Sequence, residues 1–484
     1  MRKKFALNLL FLLAANLLVK PFWIFGIDRV VQNKVGPEEY GTYFAVFNFS
    51  FIIGIVLDFG INNFNNRAIS RNKSRLGEYL FNLVWLKVGL ALVYFLLTFL
   101  FALVSGLDAH QLNLLAFLAI NQILLSFVLY FRSNVAALQW FKLDAFLSVL
   151  DRLLTIVFCL VLLYVSPFSE QFNLFYFIYA QTAALLLTAV FAFTVLLGQS
   201  KAIHRRWSWR YSKKILLRSV PFALLALFMG IYYRIDAVMI ERILPDGKTQ
   251  AGIYAASFRL LDAVNMFGYL FATLLLPMFS KMLREKTAVN GLLKFSSELM
   301  FVGSTIVAVG CFFFQEPIMQ LLYPDATLYW CKIFGWLMLS FIPISGMYIF
   351  GTLLLASGEL KLLNIITLIG AVINLLINFY LLQSIGLMGA VVSSIITNSV
   401  VCLLMIYYSN KMANLKYGFS EFMTILFSLG VILGTFSLGH TVFSVWYFNL
   451  IFAGIISMLF LSIFRLLYNK NSNLDFLKGL LTRT

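Results

Sequence analysis

Charged side chains inside long apolar runs are the residues of this sequence with the clearest potential for chemistry. In LVKPFWIFGIDR, residues 18–29, Lys20, Ile24 and Asp28 follow an i, i+4, i+8 spacing, so a regular helix carries both charges on one stripe. Pro21 follows the lysine directly and bends a helix beside it. Because an unpaired charge is costly in hydrocarbon, the stretch predicts either an anion-binding lysine or a structural ion pair.

Further ionisable residues lie inside apolar runs. The cations are Lys87, Arg152, Arg234 and Arg259, and the carboxylates are Asp236 and Asp262. Arginine suits a phosphate group because its planar fork donates two hydrogen bonds, whereas lysine acts as a point charge. Two interpretations stay open for Arg234 and Arg259: each is a cavity cation, or each neutralises a carboxylate on its own helix face. The carboxylates at that spacing are Glu241 and Asp262.

Other polar residues of these runs are expected to have structural roles. Lys87 lies about 10–12 Å from the inner end of its span, and we favour a side chain that snorkels toward the headgroups. Arg152 follows Asp151, and neighbours on a helix point to different faces, so we expect separate partners and a packing role for Arg152. Asn374 and Asn378 share a helix face, where they serve interhelical hydrogen bonds or contact a sugar.

The elements that must position these residues are membrane helices. Of the 484 residues 61% are hydrophobic and 12% are charged, and the mean hydropathy is +0.90, far from the values of soluble domains. Each apolar run is long enough to cross a hydrocarbon core of about 30 Å. We predict about fourteen spans, at residues 5–27, 41–63, 79–104, 112–131, 144–165, 172–197, 215–241, 251–279, 295–322, 329–355, 362–383, 387–408, 420–439 and 447–467.

The net charge of +17 is distributed in alternate loops. Basic residues cluster at 67–75, 201–214 and 281–286, whereas four intervening loops contain no lysine or arginine: 105–111, 166–171, 323–330 and 439–447. Under the positive-inside rule the basic side, with both termini, is cytoplasmic, and the charge needs no nucleic-acid partner. The cysteines and histidines are scattered without metal-ligand spacing, so we expect no metal site.

The chain contains two similar halves. Residues 28–50 resemble residues 236–260: an aspartate closes one helix, a turn-rich outer loop follows, and Gly-x-Tyr opens the next helix. Parallel repeats of this kind place the substrate of a transporter between its halves. We predict an N-terminal six-helix bundle at 1–198, a basic cytoplasmic linker at 199–214, a second six-helix bundle at 215–410, and two accessory helices with a basic tail at 411–484.

Four blocks of sequence resemble those of a known protein family. They are KVGPEEYGTYFAVFNFSFIIGIVLDFGINNFNNRAIS (34–70), YYRIDAVMIERI with AGIYAASFRL (232–260), EPIMQLLYPDATLYW (316–330) and LLLASGELKLLNIITLIGAVINLLINFYLLQSIGLMGAVVSSII (353–396). In this order they resemble Wzx-type oligosaccharide-lipid flippases of the multidrug/oligosaccharidyl-lipid/polysaccharide exporter superfamily. The resemblance implies an all-α polytopic membrane protein in which two six-helix bundles form a V around a central cavity, with two accessory C-terminal helices.

The resemblance also implies a function. Such proteins move undecaprenyl-pyrophosphate-linked oligosaccharide repeat units from the cytoplasmic to the outer leaflet of the bacterial inner membrane by alternating access. The translocated units are used to synthesise a surface polysaccharide such as O-antigen, capsule or exopolysaccharide. Expected partners are the lipid-linked oligosaccharide, membrane lipid, a polysaccharide polymerase and a chain-length regulator. We expect no catalytic residues, since the outer loops are too short to build an enzyme site, and no cofactor beyond coupling to H⁺ or Na⁺.

For such a cargo the candidate residues take distinct roles. The expected ligands of the diphosphate are Lys20, Arg234 and Arg259, and the rings expected to stack on sugars are Trp23 and Tyr233. The carboxylates expected to tune release or couple an ion are Asp28, Asp236 and Asp262. Asp58 and Arg67, which match the family's second helix and following loop, are expected to hold a gate, and Pro21 and Pro221 are expected bending points.

Two alternatives share the fold. A lipid II flippase would handle the same diphosphate on a different sugar. A multidrug antiporter that exports organic cations would need a carboxylate-rich cavity, whereas the deep charges here are mainly cationic.

Overall fold

The described part of the chain is helical. The computed structural model describes residues 16, 18–62, 65, 69, 76–199, 209–413, 419–439 and 442–468, and every regular element among them is a helix. Backbone groups in hydrocarbon must be satisfied internally, and a helix does this within one segment. The charge-rich stretches 71–75 and 201–208, with Arg67, lie outside the described residues.

The helices follow the predicted spans closely. In the first half they are α1 (Arg29–Val35), α2 (Pro37–Ile53), α3 (Leu76–Val104), α4 (Ala109–Ala137), α5 (Phe141–Tyr164) and α6 (Leu174–Gln199). The second half contains α7 (Trp209–Ile243), α8 (Gly247–Arg284), α9 (Asn290–Phe313), α10 (Gln315–Leu322), α11 (Leu328–Met338), α12 (Phe341–Ser357), α13 (Leu360–Ile385) and α14 (Leu387–Ala413). The last helices are α15 (Phe419–Gly439) and α16 (Trp446–Tyr468). Within the described ranges, 11 helices are long and apolar enough to cross a membrane.

The first helix differs from the prediction. This helix, described from residue 18, does not end near Asp28: a π-helical segment, Trp23–Asp28, leads directly into α1. Asp236 likewise lies inside α7 rather than at its end. Each helix runs the same number of residues past its aspartate, to Val35 and to Ile243, so both carboxylates lie inside the protein and the repeat is more regular than the sequence comparison implied.

Contacts divide the chain into two compact units. The first contains residues 1–256 and 378–386, and the second contains residues 257–377 and 387–484. In the first unit α4 and α5 pack on α6, and α2 packs on α4 and α7. In the second unit α12 packs on α9 and α14, and the accessory helices α15 and α16 pack on each other and on α9. The predicted boundaries at 198 and 215 stay a prediction.

The two copies of the repeat meet at a pair of glycines inside the first unit. A Cβ on Gly41 of α2 would collide with the backbone of Lys248, and a Cβ on Gly252 of α8 would collide with the backbone of Pro37. Small residues allow helices this close approach in membranes. The Gly-x-Tyr segments identified from sequence are therefore the place where the copies touch.

Candidate functional site

A cluster of cations lies inside the first unit, between the first helix, α4 and α5. Lys20, Arg132 and Arg152 line one pocket of about 150 Å³. We call it the cationic pocket, and its other lining residues are Leu125, Val128, Leu129, Leu147, Ser148 and Asp151. Three of the lining side chains are cations and one is an acid, while most of the others are apolar. The pocket therefore suits an anion attached to an apolar group.

Each arginine of the cationic pocket is held by its own contact. Arg132 Nε donates to Asp144 Oδ1 at 3.0 Å. Arg152 Nε lies 3.6 Å from Asp151 Oδ2, and its guanidinium lies over the Trp23 ring, 5.1 Å from the centroid. A guanidinium has five N–H donors, so these contacts orient both groups and leave donors for a ligand.

The first helix is fastened beside the same pocket. Asn16 Nδ2 donates to Ser148 Oγ at 3.0 Å, which ties the helix to α5. Beyond Lys20 the helix widens into its π-helical segment, where Trp23 is buried and stacks on Phe177 of α6 at 5.7 Å. A Trp23 ring with these neighbours braces Arg152, and its predicted contact with a sugar stays a prediction.

Sequence reasoning did not identify Arg132 as a residue of the cationic pocket, and it assigned separate partners to Asp151 and Arg152. Arg132 lay one residue beyond a predicted span, but α4 extends to Ala137 and brings it into the bundle. Its distance of twelve residues from Asp144, across a short turn, was the available signal. The expectation that Asp151 and Arg152 have separate partners was wrong, because the long arginine side chain reaches back to its neighbour.

Asp28 is the first of two buried carboxylates. Its side chain is 1% exposed and accepts a hydrogen bond from the Tyr40 phenol at 2.7 Å. The predicted single stripe with Lys20 assumed a regular α-helix, whereas a π-helix hydrogen-bonds at i→i+5 and changes the register. Lys20 lines the cationic pocket, and Asp28 lies against α2. The expected role of Asp28 in release or coupling stays a prediction.

Asp236 is the counterpart of Asp28 in the second copy of the repeat. It is 2% exposed and accepts hydrogen bonds from the Tyr254 phenol at 2.9 Å and from Asn378 Nδ2 at 2.7 Å. The open question about Asn378 is thereby answered in favour of an interhelical hydrogen bond. Each aspartate is thus held by a tyrosine of the helix that follows it.

The remaining candidate cations lie in α7 and α8. The Arg234 guanidinium lies 5.3 Å from the Phe51 ring centroid and 5.2 Å from that of Tyr233. It is half-buried, so its charge is supported by aromatic faces while part of it stays accessible. Arg259 and Asp262 are also half-buried and belong to the second unit, where their predicted roles remain predictions.

Lys87 contradicts the snorkelling interpretation. Its side chain is 1% exposed, and its ammonium donates to Leu57 O at 2.9 Å and to Ser126 Oγ at 2.7 Å. Asp58, a predicted gate residue, has a carboxyl oxygen 3.7 Å from the same ammonium. The other predicted gate residue, Arg67, lies outside the described residues, and Pro221 lies inside α7 as expected.

The N-terminus of α4 contacts the second copy of the repeat at the predicted outer end. Asp108 caps α4 in a capping box with Gln111 and accepts a hydrogen bond from Lys248 Nζ at 3.1 Å. Gln111 Nε2 donates to Glu241 Oε1 at 2.7 Å, and Gln111 Oε1 accepts from Arg242 at 3.2 Å. The Gln111 backbone N–H, and after it Lys248, hold the pKa of Asp108 below its usual range. We call these contacts the outer latch.

Among the residues described by the structure, no group of three or more His, Cys, Asp or Glu side chains is placed to hold a metal ion. The helices, most of them long and apolar enough to cross a membrane, are those of an all-α polytopic membrane protein. The polysaccharide biosynthesis protein family model matches residues 6–283, more than half of the chain, and the chain belongs to that family.

Solved structures confirm the fold. The lipid II flippase MurJ in an inward closed conformation aligns over 95% of this chain and 98% of its own, with a TM-score of 0.69 and 16% identity. An inward-facing multidrug resistance MATE family transporter aligns over 83% of this chain and 94% of its own, with a TM-score of 0.63 and 16% identity. A superfamily transporter from Pyrococcus furiosus, described as having a binding pocket of reverse polarity, gives a TM-score of 0.60 at 15% identity, over 84% of this chain and 95% of its own.

One curated relative has a more similar sequence. An uncharacterised membrane protein of Methanocaldococcus jannaschii is 28% identical over 202 residues, which is 41% of this chain. The alignment spans 46% of that protein's length. The family model confirms the expected polysaccharide biosynthesis family, and the solved structures confirm the expected all-α polytopic fold.

Proposed function

We propose that this protein is a flippase for oligosaccharides carried on a polyprenyl diphosphate, moving them from the cytoplasmic to the outer leaflet for surface polysaccharide synthesis. The observation that carries the proposal is the cationic pocket, in which Lys20, Arg132 and Arg152 converge inside a membrane bundle. The description of the family, polysaccharide biosynthesis, supports the same cargo class. A diphosphate is the part of this cargo that most needs cations during its passage through hydrocarbon.

The pocket suits both the diphosphate and the first isoprene units of the lipid tail. Arg132 and Arg152 are oriented by their own contacts and can offer planar N–H pairs to phosphate oxygens, and Lys20 adds a point charge. Leu125 and Leu129 give the same pocket an apolar wall, beside which the first isoprene units can lie. Arg234, which rests on two aromatic rings, is the next cation proposed to meet the cargo.

Polarity separates this proposal from drug export. With Asp144, which pairs with Arg132, the pocket cluster holds three cations and two carboxylates, so its net charge stays positive and a multidrug antiporter for organic cations fits it poorly. The reversed polarity described for the Pyrococcus furiosus transporter is a precedent for a member of the fold whose pocket does not match that of its relatives. Lipid II carries the same diphosphate, and it is the alternative cargo that the experiment below must separate from other oligosaccharides.

The proposal also includes the orientation of the protein in the membrane, its coupling to an ion and its partners. The charge distribution of the loops supports both termini on the cytoplasmic side of a bacterial inner membrane. Asp28 and Asp236, each buried and held by a phenol, are the carboxylates proposed to couple transport to H⁺ or Na⁺, with Asp262 a third candidate. A polysaccharide polymerase and a chain-length regulator are the proposed partners that consume the flipped cargo.

The proposal is tested with purified protein in proteoliposomes and a fluorescent polyprenyl-diphosphate oligosaccharide. Lys20→Met and Arg152→Met each remove a charge while keeping most of the side-chain volume. We expect each to slow translocation about tenfold or more, because a charge-assisted hydrogen bond contributes about 1.5–3 kcal/mol. Lys142→Met, which removes an exposed cation of α5 outside the pocket, is the matched control and should leave the rate unchanged.

Three results would decide against the proposal. Equal rates for Lys20→Met, Arg152→Met and the control would mean that the pocket does not handle the cargo. Faster transport of an organic cation than of any lipid diphosphate would favour the antiporter. A strong preference for lipid II over other lipid-linked oligosaccharides would replace the proposed cargo with the peptidoglycan precursor.

A further inference from the structure

The second membrane helix is broken inside the first unit. After α2 the chain forms a 3₁₀ turn, Gly54–Leu57, and then passes through the left-handed region at Phe59, with φ of 43°, and Gly60, with φ of 74°. In a continuous helix the Ile61 N–H would donate to Leu57 O. Here it donates to Asp58 O at 2.7 Å. The Leu57 carbonyl is therefore turned out of the helix ladder within the bundle.

A carbonyl that leaves the ladder in a membrane protein needs another donor, since no bulk water is present to replace it. Two side chains supply donors. Lys87 Nζ lies 2.9 Å from Leu57 O, and Ser126 Oγ donates to the same oxygen at 3.2 Å. Lys87 lies about three helical turns from the start of α3, so its side chain crosses the bundle interior to reach the break.

The ammonium of Lys87 is surrounded mainly by oxygen. It contacts Leu57 O and Ser126 Oγ at 2.9 and 2.7 Å, and Asp58 Oδ1 at 3.7 Å. The Tyr130 ring faces it at 5.8 Å. The two short contacts go to neutral oxygens, whereas the carboxylate is more distant and its side chain is 36% exposed. The arrangement is thus more than an ion pair between Lys87 and Asp58.

A backbone carbonyl, a hydroxyl and a carboxylate are the oxygen types that hold alkali cations in proteins, where they replace the ion's hydration shell. We propose that the break in the second helix is a monovalent-cation site whose permanent occupant is the chain's own Lys87 ammonium. Because the cation is tethered, the native site does not exchange ions with solution, and the broken helix is held in one geometry. This inference is independent of the cargo.

Removal of the tethered cation tests the proposal. Lys87→Ala opens space at the three oxygens, and Lys87→Met fills that space without a charge. The full-length protein, purified in detergent, is melted in the chlorides of ammonium, potassium, sodium and N-methylglucamine at a constant ionic strength of about 0.15 M. We expect Lys87→Ala to melt several degrees below the native protein in N-methylglucamine and to regain at least half of that loss in ammonium or potassium.

The melting temperature of the native protein should be the same in all four salts, and so should that of Lys87→Met, because neither protein leaves room for an ion. A melting temperature of Lys87→Ala that is identical in the four salts would overturn the proposal. So would the same ion dependence in the native protein or in Lys87→Met, since the stabilisation would then arise elsewhere in the protein.

Two further variants keep the proposal testable if Lys87→Ala does not fold. Ser126→Ala removes a neutral ligand, and Asp58→Asn removes the distant charge. A cation site built on the carbonyl and the hydroxyl predicts a larger loss of melting temperature for Ser126→Ala than for Asp58→Asn. The opposite order would reduce the arrangement to an ordinary ion pair and refute the assignment.

Discussion

The two copies of the repeat, residues 28–50 and 236–260, hold a buried aspartate in the same way but with tyrosines at different positions. Each buries an aspartate and holds it with a phenol from the next helix, at 2.7 Å for Tyr40 and 2.9 Å for Tyr254. Aligned on Gly-x-Tyr, however, the counterpart of Tyr254 is Tyr43, which packs against Phe177 instead. The contact is kept although its position along α2 has moved by about one helical turn.

The copies also differ in the charges around their aspartates. The first copy follows a π-helical segment, with Lys20 in the cationic pocket, whereas the second has Arg234 two residues before its aspartate in sequence and resting on aromatic rings. Asn378 adds a second donor to Asp236. The repeat therefore conserves the buried acid and its phenol, while the surrounding cations differ between the copies.

The largest expected effect comes from the glycines at which the copies touch. Gly41→Ala and Gly252→Ala each drive a Cβ into the backbone of the other copy. We expect each to lower the free energy of unfolding by about 3 kcal/mol, the upper end of overpacking costs, because a backbone cannot rotate aside. Thermal melts in detergent measure the loss, and Gly89→Ala, where a Cβ meets nothing within 4 Å, is the control. A loss in only one of the two variants would break the equivalence of the copies.

A smaller effect is expected at the phenols. Tyr40→Phe and Tyr254→Phe keep the ring and remove the hydroxyl that donates to a buried carboxylate. Hydrogen bonds to charged groups contribute about 1.5–3 kcal/mol, so we expect each variant to lose about 2 kcal/mol of stability. Tyr179→Phe, at an exposed tyrosine of α6, is the control. An unchanged melting temperature for Tyr40→Phe, with a loss at Tyr43→Phe, would show that the aligned tyrosine is the functional one.

The smallest effect is expected at the outer latch, where Asp108 of α4 binds Lys248 of the second copy. Asp108→Asn keeps a cap on the helix and removes the charge. The loss should stay below about 1 kcal/mol, because the pair is exposed and screened by solvent. Since the folded-state pKa of Asp108 is lowered by the Gln111 N–H and by Lys248, its contribution is present above the unfolded pKa of about 3.9 and is lost as pH falls through the folded value.

Melting of native protein and Asp108→Asn between neutral pH and pH of about 3 measures this contribution. The difference between the two should be constant near neutrality and shrink at the acid end. A difference that grows on acidification would mean that the Asp108 charge destabilises the latch.

The membrane architecture was predictable from the sequence for a local reason. A span must be apolar over its own length and must satisfy its own backbone, so composition along the chain reveals it. Every predicted span from 41 to 408 coincides with a candidate membrane span of the structure, although 41–63 is broken after Ile53 and 295–322 and 329–355 are each divided between two helices. The repeat was visible as well, because glycine is required where α2 and α8 touch.

The grouping of charges was only partly predictable. Lys20 was recognised as a cation inside a membrane span, but Arg132 was placed beyond a span end and Lys87 was expected to reach the headgroups. Both errors have one cause: the depth of a long side chain depends on where its helix ends and on what its neighbours offer. The π-helical segment at Trp23–Asp28 changed the register in the same unforeseen way.

The sequence by itself determined the class of protein, its spans, its repeat and the presence of deep cations, since all of these follow from composition and local spacing. The tertiary structure decided which charges share a site. It brought Lys20, Arg132 and Arg152 to one pocket, chose Tyr40 over Tyr43 as the partner of Asp28, and aimed Lys87 at the carbonyl of a broken helix. Those choices depend on the rotation and packing of whole helices against one another, which no local pattern in the chain specifies.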